Sequence, residues 1–213
     1  QDFLGQQSEI AKAAAKGIAG DKLPEAVPEF LSTPSENIMT NENNAWIVLG
    51  RDRSASRMSG YGGKGDTQCA SIDIVAGRMG SEVKGYDENG ETLFVNPSFK
   101  KDAARVYISQ KTDIDKYFDL ATGKVGSPKA KSGIGIKADN IRIVGRETIK
   151  LVTTTDKKNS QGGEIKSVLG IDLIAGNDDS DLQSMVKGEN LVDALGELVD
   201  HVDGLTGCVD TLL

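Results

Sequence analysis

The sequence predicts a mainly β chain: a β-rich domain, then short repeated β-rungs of β-helix or prism type, then a C-terminal heptad helix, with a short N-terminal helix and extended arm ahead of them. Three observations carry this expectation. Apolar and polar residues alternate over several short runs between Ala45 and Gln110, the period-two signature of strands with one buried face. Pairs of aliphatic residues recur at close spacing between Ser132 and Thr155, which leaves no room for helices between them. From Leu191 the large apolar residues advance in steps of 4, 3, 4, 3, 4, 3, the spacing of a coiled-coil seam.

Residues 1–44 read as an attachment segment. "SEIAKAAAKGIA" (8–19) predicts a short Ala-rich helix that Ser8 caps and Gly17 weakens. Residues 20–44 hold three prolines and many polar residues, the composition of an extended arm. A β-rich domain follows over 45–130, with strands at "AWIVLG" (45–50), "CASIDIVAG" (69–77) and "ARVYISQ" (104–110). "EVKGYDENGETLFV" (82–95) places Asn89-Gly90 between two strand-like arms and predicts a hairpin.

Residues 131–176 form the repeat. The pairs Ile134/Ile136, Ile141/Ile143 and Ile149/Leu151 are offset by seven and eight residues, with "KADN" and "VGRE" as polar elbows. Each pair points to one face of a strand, so stacked rungs or an ordinary meander of hairpins both fit. One further strand is expected from Val168 to Ile174. The last segment, 177–213, is an acidic turn followed by the helix, with Asn190 as its expected cap.

In heptad terms Leu191, Leu198, Leu205 and Leu212 take the d positions, and Leu195, Val202 and Val209 take a. The outside is polar apart from Val192 and Val199, and so narrow a seam favours a coil between subunits over packing on the chain's own domain. Valine at a with leucine at d leans toward a dimer if the helices are parallel, so the seam leaves two or three strands open. Gly196, Gly204 and Gly207 each cost about 1 kcal/mol against Ala. Such a helix needs the β-part to bring its partners together.

Composition narrows the function. The net charge of −7 argues against binding to phosphate backbones. No apolar run is long enough to span a membrane, and no charged-then-apolar leader opens the sequence, so secretion is not expected. Cys69 and Cys208 are too few for a disulfide scaffold and read as small packing residues. A single histidine, His201, deprives acid–base and metal chemistry of its usual residue.

Two stretches imitate functional loops. "SGYGGKGDTQ" (59–68) has the Gly63-Lys64 pair of a phosphate loop, but Met58 stands where the first glycine belongs and Gly65 where Ser or Thr belongs. It reads instead as a flexible surface or inter-subunit loop, preceded by a solvated basic run at Arg51, Arg53 and Arg57. "NDDSD" (177–181) begins like a calcium loop, yet Leu182 replaces the turn glycine and Gly188 the closing glutamate. No catalytic, cofactor or metal residue is expected.

"LQSMVKGENL" (182–191), running into the heptad helix, resembles a segment of tailed-bacteriophage structural proteins, with Ser184 where proline is common. The preceding "IGIKADNIRIVGRETIKLVT" is similar to rungs of trimeric phage spikes and fibres. The resemblance covers about residues 130–213. It implies a non-enzymatic virion protein made in the host cytoplasm: a homotrimeric fibre, spike or decoration protein. Its copies would meet through Ile141, Ile143, Ile149, Leu151 and the heptad seam, and residues 1–44 would dock on other virion proteins. The rival expectation is a monomeric β-rich glycan hydrolase or a carbohydrate-binding module.

Overall fold

The computed structural model describes residues 25–54 and 56–212. The expected helix over 8–19 lies outside the described residues. The protein is β-rich with few helices. Its elements are β1 (Glu29–Phe30), β2 (Asn37–Thr40), β3 (Ala45–Arg51), α1 (Gly60–Gly63), β4 (Ala70–Ala76), a single 3-10 turn (Gly80–Glu82), β5 (Phe94–Val95), β6 (Ala104–Thr112), α2 (Ile114–Phe118), β7 (Lys131–Lys137) and α3 (Gly188–Leu212). Two compact units divide the chain after Leu173.

Five strands form one open antiparallel sheet in the order β2-β3-β4-β6-β7. The alternating runs become β3, β4 and β6, because a period-two pattern satisfies a sheet with two unlike faces. The arm contributes β1 and β2 instead of staying apart from the β-rich body. The sequence around Asn89-Gly90 forms a turn, with the Asp87 carboxylate accepting from the amides of Asn89 (2.8 Å) and Glu91 (2.9 Å). Its arms form a short hairpin: the antiparallel bridge Tyr86↔Thr92 is flanked by backbone bonds from the Asp87 amide to the Glu91 carbonyl (2.8 Å) and from the Leu93 amide to the Gly85 carbonyl (2.9 Å). Phe94 and Val95 pair in parallel with Glu29 and Phe30 in a separate two-stranded ribbon.

The apolar core is small: Phe30, Trp46, Val48 and Val75, with Val27 and Ile38 against it. A second packing centre holds Phe99, whose ring meets Tyr107 and Phe118 edge-on at 4.9 and 5.0 Å. Phe118 comes from α2, which covers the inner side of β7. A Cβ at Gly135 would enter the Phe118 ring, and one at Gly133 would press on Thr112 and Ile114. The Gly-Ile alternation of β7 is therefore forced: glycines face α2 and Ile134 and Ile136 face the other way.

Beyond Lys137 the described chain has no strand or helix until Gly188. Ile141, Ile143, Ile149 and Leu151 lie in this extended stretch, as does the segment from Val168 to Ile174 that was expected to be a strand. Within one copy only Ile134/Ile136 of the three pairs sits in a strand, because the neighbouring segments supply the later pairs with no backbone partner. In the second unit, α3 begins at Gly188, so Asn190 lies inside its first turn and is not the cap.

Replacing Gly135 by Val should displace Phe118 and loosen α2 from β7. Overpacking of this kind costs about 1–3 kcal/mol, which urea denaturation of the purified protein would read. Gly188→Ala is the comparison for an open site with ordinary backbone, since no atom lies within 4 Å of the position its Cβ would take and its φ is not left-handed.

Candidate assembly surface and its buried polar support

The inner face of the sheet is charged. Asp73 on β4 and Arg105 on β6 are both buried, and Arg105 Nε donates to Asp73 Oδ1 at 2.8 Å. Arg105 Nη2 also donates to Asp102 Oδ2 at 2.7 Å. Arg78, fully buried, faces the same two carboxylates at 3.6 and 3.5 Å. Two cations and two anions thus form a closed, neutral group. Aromatic rings complete the arginines' surroundings: Arg78 lies over Phe30 at 4.5 Å and Arg105 over Phe99 at 4.2 Å. Burial pushes the Arg78 guanidinium below its ordinary pKa, against the opposing pull of Asp73 and Asp102.

The same carboxylates tie down loops. Asp102 accepts from the amides of Met79 (3.0 Å) and Ser98 (3.1 Å). Asn44, in a left-handed conformation at φ 53°, accepts from Trp46 Nε1 at 2.8 Å and from the Arg78 amide at 3.1 Å. Asn tolerates that backbone better than a branched residue would.

Asp52, directly after β3, anchors a second cluster and is fully buried. It accepts from Tyr107 Oη at 2.5 Å, Tyr117 Oη at 2.7 Å and the Tyr61 amide at 3.0 Å. These donors compensate the carboxylate's lost hydration. The Gly-rich loop is consequently not free. Gly60 adopts φ +71°, and a Cβ there would strike the Arg53 Cα, the Asp52 carbonyl and the Tyr117 hydroxyl. The basic run before it is also divided. Arg53 is buried and paired with Glu36 at 2.5 Å, while Arg57 is exposed and donates to the Ser32 carbonyl. A cleft of about 370 Å³ opens beside this cluster, with Tyr61, Tyr117, Asp113, Lys64 and Lys116 on its walls.

Aliphatic side chains lie elsewhere. From Asp139 to Ile171 every residue except Asn159 is exposed, Ile141, Ile143, Ile149 and Leu151 among them. A hollow of about 760 Å³ lined in part by Val125, Ile165, Leu169 and Ile171 stands open beside this stretch. On α3, Leu191, Leu195, Leu198, Val202, Leu205, Val209 and Leu212 are all exposed, and the helix buries no residue.

The heptad assignment orders the rest of α3. Its six carboxylates, Glu189, Asp193, Glu197, Asp200, Asp203 and Asp210, all fall at b, c or f, and the helix has no Lys or Arg. The e positions are Val192, Val199 and Thr206, and the g positions are Ala194, His201 and Cys208. No charge borders the seam. The expected site residues are thus present as one surface class: aliphatic, regularly spaced and uncovered. Sequence reasoning missed Asp52 and the Arg78–Arg105–Asp73–Asp102 group, which joins two local pairs, Asp73/Arg78 and Asp102/Arg105, that lie about thirty residues apart in the chain.

Among the described residues no His, Cys, Asp and Glu cluster has metal-site geometry, and no helix is long and apolar enough to cross a membrane. Cys69 is buried and Cys208 exposed, both unpaired with each other. Family models, curated proteins and solved structures provide no match to this chain.

Asp52→Ala should leave one buried donor, Tyr107, and two half-buried ones, Tyr117 and the Tyr61 amide, without this acceptor, and cost about 1–3 kcal/mol. Urea denaturation would measure it. Alkaline pH should act on the same cluster. Burial, then the hydrogen bond to Asp113, raises Tyr61 to about 12 from 10.0, and burial and Asp52 raise Tyr107 and Tyr117 further. The folded state therefore holds these protons more tightly than the unfolded chain. Their contribution is complete below pH 10 and declines as pH rises through about 12. Denaturation midpoints collected across that range should fall, and Tyr107→Phe should flatten the fall.

Proposed function

We propose that this chain is a non-enzymatic structural component of a tailed-phage virion: a homotrimeric fibre, spike or decoration protein that docks on other virion proteins through residues 1–44. One observation carries the oligomeric part. The extended stretch and α3 hold regularly spaced aliphatic residues and bury almost nothing, although burial of such side chains is what makes a segment hold one conformation. A seam of a and d residues supplies its own complement in further copies of the same helix. In this reading the segment 131–176 completes its β-helix or prism rungs across copies, where the isoleucine pairs meet. Val202 and Val209 at a with leucine at d lean toward two strands in a parallel coil, so the count of three rests on the likeness to trimeric phage proteins and not on the seam. The virion assignment rests on the likeness of residues 130–213 to phage spike and fibre segments.

A carbohydrate-binding module is the second reading. It is favoured by the cleft at Tyr61, Tyr117 and Asp113, where rings, hydroxyls and a carboxylate offer the groups a sugar uses.

Light scattering decides between an assembly and a single chain. The expected mass is three times 22.6 kDa; a monomer at micromolar concentration overturns the proposal, and glycan binding by that monomer supports the second reading. Leu198→Asp with Leu205→Asp should lower the mass or shift dissociation to higher protein concentration. Salt gives an independent check. The outward carboxylates of α3 repel one another between copies, and screening shortens that repulsion to roughly 3 Å at 1 M. Raising NaCl should therefore tighten the assembly, read as a lower dissociation midpoint concentration in sedimentation.

A further inference from the structure

The five-stranded sheet has one face that no described residue of its own unit covers, and its composition is the reverse of a solvent-facing one. An antiparallel sheet with a wet side normally places polar residues there. Here Asp73, Arg105, Tyr107, Ser71 and Ser109 are the buried side. The strand register arranges the exposed side in two cross-strand rows. One runs Met39–Ile47–Ile74–Val106–Ile136, and the other Asn37–Leu49–Ile72–Ile108–Ile134, aliphatic apart from Asn37 at the edge strand. Ile134 is 68 % exposed and Ile136 56 %, with Met39, Leu49, Ile72, Ile74 and Ile108 between 37 % and 51 %. Neither row contains a charge.

We propose that this isoleucine face is an interface between copies of the chain, in which the face of one copy meets the same face of its neighbours. The inference rests on the homo-oligomeric reading above and adds a surface to it. Two observations select a second copy as the occupant. The face is continuous with the extended aliphatic segment: β7 carries Ile134 and Ile136 and passes at Lys137 directly into the stretch bearing Ile141 and Ile143. That segment has no backbone–backbone hydrogen bond to the rest of the chain between Ala138 and Asp156, among the described residues, so both surfaces call for cover at one place. The face is also self-complementary, since uncharged rows of branched side chains meet their own equivalents without unpaired charge.

Cross-linking tests the contact. Ile108 lies in a central strand of the sheet, so Ile108→Cys is placed in the full chain together with Cys208→Ser, leaving only the buried Cys69 besides it. A short bis-maleimide should then join copies into covalent dimers, whereas Glu88→Cys in an exposed turn should stay a single chain. Ile74→Asp in the unmodified background should lower the assembled mass or raise the dissociation midpoint at least tenfold. The outcomes separate the two readings. A multiple mass with Ile108→Cys rapidly capped by a monofunctional maleimide and never cross-linked overturns the face contact alone. A multiple mass with that cysteine protected but not cross-linked also overturns it, because another segment or partner covers the face. A single-chain mass overturns the face contact and the homo-oligomer together.

Discussion

The ion pairing of Arg78 and Arg105 with Asp73 and Asp102 determines which way the five-stranded sheet faces. Asp73 is held inward on β4 by two guanidinium groups, so period two sends Ile72 and Ile74 outward. Arg105 does the same on β6 for Val106 and Ile108. On β7 the agent is steric, since Phe118 leaves room only for glycine, and Ile134 and Ile136 go out in turn. Buried ion pairs contribute little net stability over apolar packing, but breaking one partner out of such a group costs about 3–5 kcal/mol. Their effect is therefore to exclude the flipped register rather than to hold the fold together. A slip of β4 or β6 by one residue would turn isoleucines toward Arg78 and Asp102, which lie outside the strands, and leave Asp73 or Arg105 in the aliphatic face.

This division leaves each copy with a small apolar core around Phe30, Trp46, Val48 and Val75, and with its longest apolar track outside. On the proposed reading, stability is then shared with assembly and depends on protein concentration by mass action. The second unit follows the same division at helical period: aliphatic at a and d, neutral at e and g, every carboxylate at b, c or f. Acidic outer positions resist unspecific association of the helices' outer sides while leaving the seam uncharged.

Much of the strand layout was legible because alternation is local: β3, β4 and β6 fall where period two places them, and α3 where the 4-3 steps place it. What alternation does not encode is which face is inside. "ARVYISQ" reads as Val and Ile against Arg, Tyr and Ser, and ordinary partition would bury the aliphatics; the structure buries Arg105, Tyr107 and Ser109. The partners that reverse the sense, Asp73, Arg78 and Asp102, are set by topology. Asp52 gave no signal either, since its tyrosine donors stand 55 and 65 residues away. The parallel β1–β5 ribbon, two residues long on each side, is too short for any periodicity to mark. The expected hairpin at Asn89-Gly90 formed but stops at Gly85 and Leu93, because Phe94 and Val95 pair with Glu29 and Phe30 instead. The glycines of β7 were visible as composition, but their cause, the Phe118 ring, was not.

The helix glycines gain a physical role from this picture. Gly196, Gly204 and Gly207 sit at b, c and f, where a Cβ would meet open space, so neither packing nor backbone conformation requires them. Their effect is thermodynamic: each lowers the helix's own stability by about 1 kcal/mol. A seam of three heptads so weakened forms only at the local concentration that prior association of the chains creates. If the isoleucine face supplies that association, the seam closes after the sheets have met and in the register they impose. A stronger helix could pair before the sheets do and fix a wrong register. A weak seam keeps that choice with the β-rich unit.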